Sequence, residues 1–294
     1  MKSTLTTRLA VIFLMLTAAI SNAQGNARFR VVLDAGHGGK DYGAIYHGFI
    51  EKNIALNVAL KVGDILEKDP AMQVIYTRKT DAFVELKERP NIANNAEANI
   101  FVSIHCNGEA KKAAFGAETF VLGSTKNASN LEVAKKENVV IKLEKDYKTI
   151  YGGFDPMAPE TLSLNKPVSD NITNQSIDLA SKIQDNFTQD AERKSRGVRQ
   201  GPFWALNKIT MPGVLIELGF ISYKQEGEYL NSDKGQQEMA EAIAKAITSY
   251  KKNILFRVQT SIQNLQRLLP QISPLQKINL NLNKSQKLSL SRNL

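Results

Sequence analysis

Short apolar runs and longer amphipathic stretches alternate along this chain, and the spacing of apolar positions switches between strand-like and helix-like. Residues 28–33 (Arg-Phe-Arg-Val-Val-Leu) read as a short buried strand that runs into Asp34-Ala-Gly-His-Gly-Gly39. A helix is predicted over 51–68, where Ile54, Leu56, Val58, Leu60, Val62, Ile65 and Leu66 make a broad apolar face. Further strands are predicted at 73–77, 100–104 and 117–122, with a helix near 84–98 between the first two. After Gly123 the composition turns to Asn, Lys, Ser and Thr through residue 175, with one helix-like stretch at 129–147. A helix at 175–192, strands near 198–206 and 213–220, and an alanine-rich helix at 232–250 complete the pattern. Strands alternating with helices predict a single α/β domain, its central sheet mostly parallel and flanked by helices.

The two ends differ from this middle. Lys2 and Arg8, the apolar run Leu9 to Ile20, and Ser21-Asn22-Ala23 match the three parts of a cleavable export signal over 1–23. The apolar run is short for a membrane span. The mature protein is therefore expected outside the cytoplasm, without a transmembrane segment, in a periplasm or secreted. At the other end, Leu255, Val258, Ile262, Leu265 and Leu269 keep helical spacing until Pro270 and Pro274 break it. Beyond these prolines the chain lacks aromatic, acidic and glycine residues, so 255–294 is expected to be a basic, disordered tail.

Charge narrows the function. The net charge of +9 comes from 38 basic and 29 acidic residues. All the acids and 30 of the basic residues fall within 24–254, so the excess sits in the ends and the folded middle has no footprint for nucleic acid. A single cysteine, Cys106, excludes an internal disulfide and reads as structural.

Four residues suggest chemistry. His37 and His105 each follow the C-terminal end of a predicted strand, the edge where open α/β sheets bind ligands. Glycines on both sides of His37 let the backbone turn sharply. Glu51 starts a helix, and Glu217 sits among Val214, Leu215, Ile216 and Leu218. Gly-His-Gly alone is an ordinary turn, and a lone His or Glu has bland explanations. Together, two imidazoles and a carboxylate form a known catalytic zinc set that leaves a position for water. His47 is an alternative ligand, but its setting favours an exposed loop.

Asp34-Ala-Gly-His-Gly-Gly-Lys-Asp41, Glu51-Lys-Asn53, Ser103-Ile-His-Cys-Asn107 and Leu215-Ile-Glu-Leu-Gly-Phe-Ile-Ser222 resemble, in order, the motifs of the zinc-dependent N-acetylmuramoyl-L-alanine amidases. Thr77-Arg78, Asp81, Phe83, Arg89, Ala93-Asn94 and Ser195-Arg-Gly-Val198 add lesser similarities, over roughly 28–252. The resemblance implies one Zn2+ per chain on His37, Glu51 and His105, and Glu217 as the catalytic acid/base. It implies peptidoglycan as substrate, cut between N-acetylmuramic acid and L-alanine during wall remodelling or daughter-cell separation. Asn107, Arg196 and Arg199 are candidates to touch substrate. Cell-division members carry an insertion after the fourth strand whose helix blocks the metal until a protein activator removes it. Residues 124–175 occupy that place, with Glu137 the first choice to reach the metal and Glu132 or Glu144 the substitutes. A zinc peptidase of the stem peptide, an inactive peptidoglycan-binding regulator and a basic envelope tether are the competing readings.

Overall fold

A computed structural model describes residues 28–159 and 169–268; the expected leader at 1–23 and the end of the tail lie outside the described residues. The described part begins with strand β1 (Phe29–Ala35), turns through a hairpin of β2 (Ile45–Tyr46) and β3 (Phe49–Ile50), and enters helix α1 (Glu51–Leu66). Strand β4 (Met72–Tyr76), helix α2 (Glu88–Asn95), and strands β5 (Ile100–Asn107) and β6 (Ala117–Leu122) follow. Next come helix α3 (Ala128–Asn138), a tight turn of helix at Val139–Leu143, and α4 (Tyr147–Ile150). The rest is α5 (Asp170–Gln189), β7 (Ser195–Gly201), α6 (Trp204–Asn207), β8 (Gly213–Phe220), α7 (Lys224–Asn231) and α8 (Asp233–Leu268).

Six of these strands form one sheet in the order β4-β1-β5-β8-β6-β7. Every neighbouring pair is parallel except β6 with β8, so the sheet is mostly parallel. Every residue of β5 and β8 is buried, as expected of central strands covered on both faces. Register then sorts their side chains. Asp34 pairs with Ser103, Ser103 with Leu215, His105 with Glu217, and Glu217 with Glu118. Alternation sends Val31, Leu33, Ile100, Val102, Ile104, Val214 and Ile216 to the opposite face, each fully buried. Each buried aliphatic side chain there is worth about 2 kcal/mol of hydrophobic stabilisation. The other face carries a polar row.

The row is anchored by Asp34, which is 1% exposed. Its Oδ1 accepts hydrogen bonds from Thr77 Oγ1 and Arg89 Nη1, and its Oδ2 from Ser103 Oγ, each at 2.7 Å. Burial pushes the Asp34 pKa up; Arg89 and the two hydroxyls outweigh it and hold the carboxyl below its usual range. Arg89 also donates to the carbonyls of Ala35 and His37, at 2.8 and 2.9 Å. Arg78 donates to those of Ala35, Gly36 and Lys52, at 3.0, 2.7 and 2.8 Å. Two guanidinium groups thus fix the backbone of the turn that carries His37.

The structure corrects four boundaries. The helix expected at 129–147 breaks at Asn138 into separate turns. The strand expected at 198–206 spans 195–201, and its last residues form α6 instead. The helix expected at 175–192 begins at Asp170, capped by Ser169. The closing helix runs through Leu268, so 255–268 is helical where disorder was expected. Among the described residues, those up to Thr248 form one compact unit and those from Ser249 a second. Among the described residues, no helix is long and apolar enough to cross a membrane.

Replacing Arg89 by Met would leave Asp34 buried without its cation. The expected cost is about 3–5 kcal/mol, read as a lower urea midpoint. Wild-type stability should fall with acid: the Asp34 contribution is present above the unfolded carboxylate pKa of about 3.9 and is lost as pH drops through its lower folded value.

Candidate metal centre

The turns and strand ends at the C-terminal edge of the sheet bring four side chains to one point. His37, Glu51, His105 and Glu137 each offer an atom, and these atoms lie within 4.8 Å of one another. His37 Nε2 is 2.9 Å from Glu51 Oε1, 3.3 Å from Glu137 Oε2 and 3.2 Å from His105 Nδ1. His105 Nδ1 is 3.1 Å from Glu51 Oε1 and 2.8 Å from Glu137 Oε2. Atoms so spaced fit around one ion with bonds of about 2 Å, and nitrogen with carboxylate oxygen is a zinc-like donor set.

Local backbone explains the convergence. His37 adopts a left-handed φ of 59°, which turns its ring back over the strand ends. A Cβ on Gly36 would strike the His105 ring, and one on Gly43 (φ 65°) would strike Glu51 and His37. His37 is oriented by Asp41, whose Oδ2 is 2.7 Å from its Nδ1. Glu51 is fixed by two backbone donors: Cys106 N reaches Oε1 at 2.9 Å and Ala44 N reaches Oε2 at 2.8 Å. The hairpin between His37 and Glu51 reverses at His47-Gly48, both at positive φ (54° and 86°). Its His47 ring nitrogen lies 3.0 Å from the Ser222 carbonyl, outside the cluster. Cys106 is buried.

The electrostatics are those of a site built for positive charge. Burial pulls both imidazoles down, but Glu51 beside His37 and Glu137 beside His105 more than reverse it. His37 ends well above its usual value and His105 at about 9. Against burial, the imidazoles hold the Glu51 and Glu137 carboxyls low. Glu217, beside His105 on the next strand, is 0% exposed. Neither of its oxygens has a hydrogen-bond partner among the described residues. Burial, then the charges of Glu137, Glu51 and Glu118, push its pKa well up.

Residues 31–249 match the family model described as N-acetylmuramoyl-L-alanine amidase. The chain belongs to this amidase family. AmiA of Escherichia coli K12 is 31% identical over 75% of this chain and 75% of its own. The catalytic domain of CwlV, an amidase of Bacillus (Paenibacillus) polymyxa, is 31% identical with a TM-score of 0.56, covering 76% of this chain and 98% of that domain. The CwlD amidase of Clostridioides difficile, solved in complex with the GerS lipoprotein, is 26% identical with a TM-score of 0.57, over 76% and 99% of the two chains. Members of this amidase family hydrolyse peptidoglycan, and this chain is one of these hydrolases.

The amidase fold brings Glu137, rather than Glu132 or Glu144, to the cluster. Glu132 is exposed, and Glu144 accepts from Leu86 N at 2.6 Å and Tyr151 Oη at 2.7 Å. Asn107, Arg196 and Arg199, named as candidates to touch substrate, all end on one buried carboxylate, Glu118. The sequence reading missed Glu118 and Asp41. The signal for Glu118 was a lone charge in the apolar run Ala-Glu-Thr-Phe-Val-Leu; for Asp41 it was the acid four residues beyond His37.

The carboxylates that raise both imidazole pKa values set metal binding in competition with protons. Calorimetric titration with zinc in buffers of different ionisation enthalpy should show proton release at pH 7, with affinity rising as pH approaches about 9.

Proposed function

We propose that this chain is an exported, zinc-dependent N-acetylmuramoyl-L-alanine amidase, held closed by its own insert. Its work is then wall remodelling or daughter-cell separation, with a protein partner to open it. The observation that carries the reading is Glu217: a fully buried carboxyl, free of hydrogen-bond partners among the described residues, beside a cluster that can hold a metal.

In this reading His37, Glu51 and His105 hold the zinc, and Asp41 orients His37 through Nδ1. When bound, zinc supplies Lewis-acid polarisation of the carbonyl and lowers the pKa of water on it from about 15.7 to about 7. The proton work belongs to Glu217. A carboxyl oxygen takes the proton of the attacking water, and the same group returns it to the departing nitrogen of L-alanine. Placement in an apolar strand excludes competing water and keeps the proton affinity high enough for both steps.

Glu137 would supply a fourth donor to that zinc, in place of the water a catalytic site needs. Its neighbours explain why it stays there. Asn138 is 1% exposed, donates to Pro202 O and accepts from Trp204 N, both at 2.9 Å. Lys136 Nζ reaches Gly108 O and Lys40 Nζ reaches Leu143 O, both at 2.6 Å. Earlier in the same helix, Val133 and Ala134 pack into the core with Phe120, Phe203 and Leu215. Withdrawing them would expose that core, so the moving segment begins after Ala134 rather than at 124. Withdrawal of Glu137 also removes the charge that most opposes ionisation of Glu217, which helps it act as a base.

Mass spectrometry of digested peptidoglycan tests the reading. Zinc-loaded protein should release intact stem peptides with a free L-alanine amine, and Glu217→Ala should lower the rate by about 10²–10⁴-fold with zinc retained. Internally cut peptides would indicate a stem-peptide peptidase, and no cleavage after opening would indicate a binding protein. For the insert, Glu137→Ala is expected to raise partner-free turnover at least about tenfold, the worth of roughly 1.4 kcal/mol. Turnover equal to that of the unaltered chain, with zinc bound in both, would end the case for self-inhibition.

A further inference from the structure

Two guanidinium groups, those of Arg196 and Arg199, reach the cross-strand neighbour of Glu217, while Glu217 itself has no hydrogen-bond partner among the described residues. The reason lies one strand away. Glu118 on β6 is the direct cross-strand partner of Glu217 on β8 and is 2% exposed. Its Oε1 accepts from Asn107 Nδ2 at 2.9 Å. Its Oε2 accepts a hydrogen bond from Arg196 Nε at 3.0 Å and forms an ion pair with Arg199, whose Nε lies 2.8 Å away without hydrogen-bond geometry. Each donor is held from a second side as well. Asn107 Oδ1 accepts from Gly108 N at 2.9 Å, Arg199 Nη1 donates to Asn130 Oδ1 at 3.0 Å, and the Arg196 guanidinium lies 4.9 Å from the Phe220 ring centre.

Buried carboxylates attract donors, and a guanidinium binds them in a fixed, often bidentate geometry. A side chain that must carry a proton from water to a departing nitrogen cannot be fixed in that way. We infer that Glu118 is a positioning residue for the amidase reaction: it captures Asn107, Arg196 and Arg199, and so keeps the Glu217 carboxyl free of permanent hydrogen bonds. The two acids divide the work. Glu118 satisfies the cations that the end of the sheet brings together, and Glu217 keeps both oxygens for the reacting atoms. This inference rests on the reading of Glu217 as the proton-transfer group.

The test uses the full chain loaded with zinc and carrying Glu137→Ala, so that turnover does not depend on a partner. A soluble muramoyl peptide gives kcat and KM, and zinc content and thermal midpoint are measured for each protein. In Glu118→Gln the arginines lose their charged acceptor and turn to Glu217. The expected result is a fall in kcat of about tenfold or more with KM nearly constant and zinc retained. Adding Arg196→Gln and Arg199→Gln to Glu118→Gln removes the competing cations and should recover most of the lost kcat, which a merely structural role would not do.

Unchanged kcat in Glu118→Gln overturns the inference. So does a folded, zinc-bound triple variant that stays as slow as the single one. If Glu118→Gln fails to fold, the triple variant decides alone: turnover near that of the parent supports the inference, and turnover as low as that of Glu217→Ala overturns it. Full turnover by Glu217→Ala itself would instead remove the reading underneath, whatever Glu118 does.

Discussion

The buried pair of Asp34 and Arg89 is the constraint on which the rest of the site depends. Asp34 ends the apolar part of β1 and bonds to neighbours on both sides, Thr77 after β4 and Ser103 in β5. Those bonds tie the strand ends together at one level. Arg89 extends the tie into the following turn by donating to Ala35 and His37 carbonyls. A buried ion pair of this kind adds little net stability compared with apolar packing, because desolvation offsets much of the attraction. Its role is geometric. It holds a left-handed His37 turn that the chain would not otherwise favour, and the metal cluster follows from that turn.

Strand alternation does the remaining sorting. One face of β1, β5 and β8 is aliphatic, while the other combines a second apolar cluster of Val32, Phe101, Phe120 and Leu215 with the polar groups. Register then sets Asp34 beside Ser103, and His105, Glu217 and Glu118 across three adjacent strands. A slip of one residue in β8 would send Glu217 into the aliphatic layer and Ile216 to the metal. The reversed direction of β6 matters here. An antiparallel neighbour brings the start of β6, with Glu118, to the same edge as the end of β8, with Glu217.

This division explains what the sequence made legible. The mostly parallel sheet was readable because its central strands are continuous apolar runs, and those runs end at His37 and His105. Glu51 was readable because it starts a strongly periodic helix. Other features carry no local signal. The hairpin strands are two residues each, too short for a period. Strand β7, Ser-Arg-Gly-Val-Arg-Gln-Gly, is a polar edge strand, and its boundary was displaced onto the apolar residues of α6. Glu118 could not be separated from a solvated charge, since its partners lie 11, 78 and 81 residues away. Only pairing across the sheet reveals it.

The helix α3 joins the hydrophobic core to the candidate metal centre in a single element. Its first half is core: Ala134 is fully buried, and Asn130 is tied to Gln200 O and Arg199. Its second half places Glu137, one-tenth exposed, against both imidazoles. In the proposed opening, the half that stays and the half that moves are continuous, so it could not be the release of a loose loop. It would have to break the helix near residue 135 and strip Val140, Ile141 and Tyr151 from Leu86, Trp204 and Ala205, a second small cluster to which the insert gives half of the buried residues. Burying a handful of side chains there is worth several kcal/mol on the scale of about 1.5–3 each. Thermal fluctuation would rarely overcome that, whereas a partner that offers replacement contacts can. In the proposed self-inhibition this small cluster would set the threshold for withdrawing Glu137 with its helix, whereas replacing the Glu137 side chain vacates the position without moving the helix.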